Sequence, residues 1–101
     1  MMKSNRPRTS ATSDAKRSAR NVARLYRSLE LAESKVGFAE NEVEVATLRY
    51  QRGLGNNLDV VNAELALLTA QSRMLATRAE LAVGRLQLLA ALGTLRPRED
   101  I

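Results

Sequence analysis

The sequence has no cysteine, no histidine and no tryptophan, and only three aromatic residues in 101. Without Cys or His there is no zinc finger, no thiol nucleophile, no disulfide framework and no imidazole base. Two prolines, five glycines and so few aromatics argue against a β-sandwich. No run of 18 apolar residues occurs, so no transmembrane helix is expected. The basic start is followed by no apolar stretch, so it does not read as a signal peptide. What the chain has in quantity is Ala and Leu, 15 and 16 residues, together with Glu and Arg. That is the composition of long helices and coiled coils.

The net charge of +5 is unevenly placed. Residues 1–20 hold six basic residues and one acid, whereas residues 21–101 hold ten of each. The excess therefore sits in a Ser/Thr/Arg-rich segment without apolar periodicity. Residues 1–17 read as a disordered basic tail, either simply solvated or an arm for phosphates or lipid. Residues 97–101 form a second short tail, and the hairpin described next is expected over 18–96.

One break divides the body. Arg52-Gly53-Leu54-Gly55-Asn56-Asn57 has two Gly and two Asn in six residues, a strong turn signal. The periodicity of the flanks predicts helices over about 18–51 and 58–92, with the turn at 52–57. Before the turn Val22, Leu25, Leu29, Ala32, Val36, Ala39, Val43, Ala46 and Tyr50 follow a 3-4 spacing. After it Leu58, Val61, Leu65, Leu68, Ser72, Leu75, Ala79, Ala82, Leu86 and Leu89 do the same. These are heptad a/d seams; a strand would alternate with period two.

A second apolar stripe lies nearly opposite the first on each helix. Its c positions are Leu31, Phe38 and Val45 in the first arm, and Val60, Leu67, Met74, Leu81 and Leu88 in the second. The f positions beside the latter are small: Ala63, Ala70, Thr77, Gly84 and Ala91. Each helix therefore wants an apolar neighbour on two sides, and a lone hairpin supplies one. The chain is expected to be all-α, a long antiparallel two-helix coiled-coil hairpin that associates further. A curved wall of helices closing into a cylinder satisfies both stripes; burial in an ordinary three- or four-helix bundle is the alternative. The packing residues singled out are Val36, Val43, Leu65, Leu67, Leu68, Met74, Leu75 and Leu81. On this reading Leu67→Glu disrupts association without unfolding the hairpin.

The turn can be read further. Gly53 suits the left-handed position that closes a helix, and Asn56 or Asn57 can cap the next one, with Asp59 completing a short capping box. Gly37 and Gly84 interrupt the helices and are expected to allow close helix approach. No nucleotide loop, metal-ligand cluster or nucleophile with a base is present, so neither an enzyme nor a cofactor or metal is expected. Asp59 near Asn62 could meet a cation, though capping is the simpler role.

Tyr50-Gln51-Arg52-Gly53-Leu54-Gly55-Asn56-Asn57-Leu58-Asp59-Val60-Val61-Asn62-Ala63 resembles the tyrosine, glycine, leucine-aspartate-valine and alanine pattern of TolC-like outer-membrane efflux proteins. Leu89-Ala90-Ala91-Leu92-Gly93-Thr94-Leu95 resembles the close of that family's last long helix. The likeness covers about residues 20–96. It implies a homotrimer with a β-barrel in the outer membrane and an α-helical barrel in the periplasm. Such proteins are the exit ducts of tripartite efflux pumps and type I secretion systems. They work with a periplasmic adaptor hairpin and an inner-membrane pump; no nucleic acid is implied.

By the same resemblance this chain is the C-terminal helical hairpin of the second repeat, and its turn is the periplasmic tip. Tyr50 matches the aromatic ending the first helix, Gly53 the turn glycine, and Asp59 an acidic position facing the aperture. Leu54, Gly55 and Asn62 belong to the same tip. Two positions depart: the type pattern has a basic residue where Gly55 stands and a second acid where Asn62 stands. If Asp59 faces the lumen, the acidic arc Glu30, Glu33, Glu40 and Glu44 is expected to face it too. The β-barrel strands and the first repeat have no counterpart in these residues. The chain is therefore expected to be a piece of a larger protein, without pore activity of its own. Two other functions are compatible with the residues: a stand-alone coiled-coil oligomerisation protein, and a basic-tailed helical protein that associates with nucleic acid.

Overall fold

The computed structural model describes residues 6–95, and the side chains of residues 12–93. Two helices hold nearly all of them, α1 (Arg6–Gln51) and α2 (Asn57–Leu95), joined by residues 52–56. They form an antiparallel hairpin, and no strand occurs among the described residues. The chain falls into two compact units: residues to Tyr26 with residues from Ala79, and Arg27–Arg78. Each unit pairs a segment of α1 with a segment of α2.

The start of α1 corrects the expected tail. The helix begins at Arg6, so residues 6–17 are helical rather than disordered. The cause is a seam of small residues: Ala15 and Ser18 continue the 3-4 spacing back from Val22, and Ala15 is buried. Pro7 stands in the first turn, where its missing N–H removes no helical hydrogen bond. Residues 1–5 and 96–101, including the short C-terminal tail, lie outside the described residues. α2 begins and ends within a few residues of the expected bounds.

The core is thin. Ala15, Val22, Leu25, Ala39 and Leu81 are the buried apolar side chains among the described residues. Around them the half-buried positions trace one stripe on each helix. On α1 it is the a/d seam: Leu29, Ala32, Val36, Val43 and Ala46. On α2 it is not the a/d seam. Apart from Gln71, the half-buried residues there are Val60, Ala63, Leu67, Ala70, Met74, Thr77, Leu88 and Ala91, the c and f columns. α1 thus packs its a/d stripe against the c/f stripe of α2. Small residues line both inner stripes, Ala32, Ala39 and Ala46 on α1 and Ala63, Ala70, Thr77, Gly84 and Ala91 on α2.

The two helix glycines behave differently. A Cβ at Gly84 would lie 3.0 Å from Leu25 Cδ1, so this glycine does permit close approach of α1. A Cβ at Gly37 would meet nothing within 4 Å, which corrects the expectation for that residue. Gly37 is exposed and brings no partner nearer. Thr77 is the hydroxyl in the inner stripe of α2 among the described residues, and its Oγ1 donates to the Arg73 carbonyl at 2.9 Å. The helix itself thereby satisfies the polar group before it meets α1.

Candidate functional site: the turn and the exposed stripes

The turn is fixed by local hydrogen bonds at both ends. Gly53 has φ +76°, the left-handed conformation that favours glycine. Its N–H donates to Tyr50 O at 3.1 Å, and the Leu54 N–H donates to Arg49 O at 2.7 Å. This is a Schellman closure of α1. On the other side the Asp59 N–H donates to Asn56 Oδ1 at 3.0 Å, and the Asn56 N–H donates to Asp59 Oδ2 at 3.4 Å. These two bonds form a reciprocal capping box with Asp in place of Glu. Asp59 therefore serves as a cap, and it also places an acid where the helix macrodipole is positive.

The turn presents apolar side chains to solvent. Leu54 is 68% exposed and Leu58 63%, and Tyr50 beside them is about half exposed. Gly55 lies against α1 and the cap: a Cβ there would stand 3.4 Å from Asp59 Oδ2 and 3.5 Å from Arg49 Cβ. These are ordinary contact distances, so the absence of a basic side chain at position 55 is not imposed by space. Tyr50, Gly53, Leu54, Gly55, Asp59 and Asn62 are thus brought to one end of the Arg27–Arg78 unit.

Away from the turn, each helix leaves one apolar stripe uncovered. On α1 it is Leu31, Phe38 and Val45, with Phe38 72% exposed. On α2 it is the a/d seam, with Leu58, Val61, Leu65, Leu68, Leu75, Leu86 and Leu89 all exposed. Soluble monomers avoid a contiguous apolar strip of this kind. A model of the outer membrane efflux protein family matches residues 4–94. The chain belongs to this family. No curated protein and no solved structure gives a significant match.

The family is one of outer-membrane efflux proteins, a transport family. The match begins at residue 4, so it includes the basic segment expected to lie outside the resemblance. That agrees with α1 starting at Arg6. No described helix is long and apolar enough to cross a membrane.

The residues singled out for packing divide between the two faces. Val36, Val43, Leu67, Met74 and Leu81 lie on the inner stripes, whereas Leu65, Leu68 and Leu75 lie on the outer stripe of α2. Leu67 being inside, a charge there falls on the α1–α2 contact. The expectation that Leu67→Glu spares the hairpin is therefore corrected.

The polar arcs also resolve into two faces. In the Arg27–Arg78 unit, Arg78 Nη2 lies 3.5 Å from Glu33 Oε2. This pair joins the acidic arc of α1 to the g column of α2. Asp59 and Asn62 instead line a shallow groove with Glu42, Val45 and Arg49, on the opposite side of the contact. Helix geometry requires this: on α2, positions 59 and 78 flank the inner stripe on different sides. Asp59 and the arc Glu30, Glu33, Glu40, Glu44 therefore do not share a face, which corrects the coupled expectation. The α1 residues on the Asp59 side are those of the g column, Glu42 and Arg49 among them.

Proposed function

We propose that this chain forms part of the wall of an outer-membrane efflux or secretion duct, as a helical hairpin of its periplasmic barrel. The observation that carries the reading is the pair of uncovered apolar stripes, on α1 and on α2, in a chain of the efflux family. A helix with apolar stripes on two sides is suited to a closed ring of helices, where each has two neighbours. Trimeric assembly, a periplasmic adaptor hairpin and an inner-membrane pump as partners follow from the resemblance.

In this reading Tyr50, Gly53, Leu54, Gly55, Asp59 and Asn62 form the periplasmic tip. The exposed Leu54 and Leu58 offer an apolar contact to the adaptor, and the rigid cap holds them at fixed positions. Two helices enclose no lumen, so the chain alone is wall material and not a channel. The test is a chimera in which the matching hairpin of a working duct is replaced by residues 18–96. Export restored in a duct-deficient bacterium supports the reading; a folded, membrane-located chimera that exports nothing defeats it. Adding the 101-residue chain alone to planar bilayers should give no conductance. A second reading, a stand-alone coiled-coil oligomerisation protein, draws on the leucine-rich outer seam of α2.

A further inference from the structure

We propose that the helix covering the outer face of α1 around residues 17–24 is acidic there, presenting carboxylates at three- and four-residue spacing to Arg17, Arg20 and Arg24. The inference rests on the duct reading and adds the chemistry of one neighbour in the wall. The three arginines are exposed and fall within an arc of about 60° of the helix, given its 3.6 residues per turn. That arc lies nearly opposite the buried Ala15, Val22 and Leu25.

The charge of these arginines is not answered within their own unit. Among its described side chains, residues 12–26 and 79–93, five are basic, and Asp14 and Glu80 are the acids. None of the three arginines forms an ion pair among the described residues. Arg24 Nη2 donates to the neutral Asn21 Oδ1 at 2.7 Å, and Glu80 lines a groove with Arg24 without pairing with it. The Arg27–Arg78 unit is different, with seven acids to six basic residues and the Arg78–Glu33 pair.

In a wall of helices each one is covered on the side away from its hairpin partner. The outer stripe of α2 in the same unit offers Ala82, Leu86 and Leu89, all uncharged. A stripe of that kind laid on the arginines would strip water from guanidinium groups and return nothing. Carboxylates at the matching spacing return charge-assisted hydrogen bonds. Phosphate polymers and anionic membranes are the other anionic surfaces, and the residues beside the stripe argue against both. Within the Arg27–Arg78 unit, Arg27 and the exposed Leu31 stand one turn apart and line one groove. Basic and apolar groups thus follow one another along the helix axis. A membrane-surface helix sets them on opposite sides of its circumference. A phosphate backbone offers the leucine nothing, whereas a helix can be acidic in one turn and apolar in the next.

A photo-cross-linking benzoylphenylalanine placed at position 20 or 24 of the protein in its native assembly reports the neighbour, the linked segment being identified by mass spectrometry. The expected link is to a helix with Asp or Glu at three- or four-residue spacing across the contact. With the cross-linker kept at position 20, Arg24→Glu should lower the yield about two- to five-fold, and exchanging the facing acid for Arg should restore it. The proposal is overturned by links to residues 79–93 of another copy, to a segment without acids, to lipid or to nucleic acid. It is overturned equally by the absence of any link at both positions, or by an exchange that restores nothing. The same cross-linker at position 38 separates this inference from the duct reading, because Phe38 is exposed on the apolar part of the outer stripe, in the other unit. Links from position 38 to a neighbouring hairpin, with failure at 20 and 24, remove the acidic neighbour and leave the duct wall standing. Failure at all three positions removes the duct wall as well.

Discussion

α2 carries two apolar stripes, and it buries the poorer one against its partner. The inner stripe has three leucines, Leu67, Leu81 and Leu88, among small residues. The outer stripe has six, and every one of them is exposed. Leucine content therefore does not decide which side meets α1. Fit does: both inner stripes carry small residues, and at Gly84 the α2 backbone admits Leu25 of α1, so close packing of many small contacts outweighs a looser leucine seam. The richer stripe is left for association. The most disruptive way to break this difference is to remove the fit. Gly84→Leu drives a side chain into Leu25 and Val22, whose atoms lie 3.0 and 3.8 Å from where a Cβ at position 84 would stand. Overpacking of this kind should cost about 3 kcal/mol in a thermal or urea melt followed by circular dichroism. An unchanged melt would show that the inner contact is not a close one.

A second way is to place the same charge on the two stripes, two residues apart. Leu67→Glu sets a carboxylate in the half-buried inner stripe and should destabilise the hairpin by about 1–2 kcal/mol. Leu65→Glu sets it on the outer seam and should leave the hairpin within about 0.5 kcal/mol of the parent, measured dilute enough that association does not contribute. Equal losses in the two variants would erase the distinction between the stripes.

Much of the fold was legible in the sequence. The unbroken 3-4 spacing fixed two helices, and Gly53 with Asn56 and Asp59 fixed the turn, down to the positive φ and the reciprocal cap. Two things were not legible, for different reasons. The helical start at Arg6 was hidden because the seam there is made of Ala and Ser, which a count of large apolar residues passes over. The choice of inner stripe was hidden because both stripes are periodic and the outer one has more leucine. The signal lay in matched small columns, Ala32, Ala39 and Ala46 on α1 and the whole f column of α2. The error over Asp59 and the acidic arc has the same source: the two polar faces can be told apart only once the inner stripes are known.

The glycines give a finer version of the comparison. Gly53→Ala should cost about 1 kcal/mol, because an L-residue at φ +76° is strained whatever space surrounds it. Gly37→Ala should do the opposite. Nothing lies within 4 Å of its added methyl group, and alanine raises helix propensity, so a gain of about 0.5–1 kcal/mol is expected. A loss at Gly37 would mean that a neighbour crowds this exposed position after all.

The smallest expected effect tests the assignment of the two polar faces. Arg78 and Glu33 are each about half exposed at 3.5 Å, so their pair contributes little, below about 0.5 kcal/mol. A double-mutant cycle isolates even so small a coupling from the other consequences of each change. Arg78→Gln with Glu33→Gln should show a favourable coupling that fades as salt is raised, since both groups are screened by solvent. Arg78→Gln with Glu42→Gln should show none, because Glu42 lines the groove with Asp59 on the other side of the contact. Coupling to Glu42 in place of Glu33 would reverse the faces, and the acidic arc of α1 would return to the side that carries Asp59.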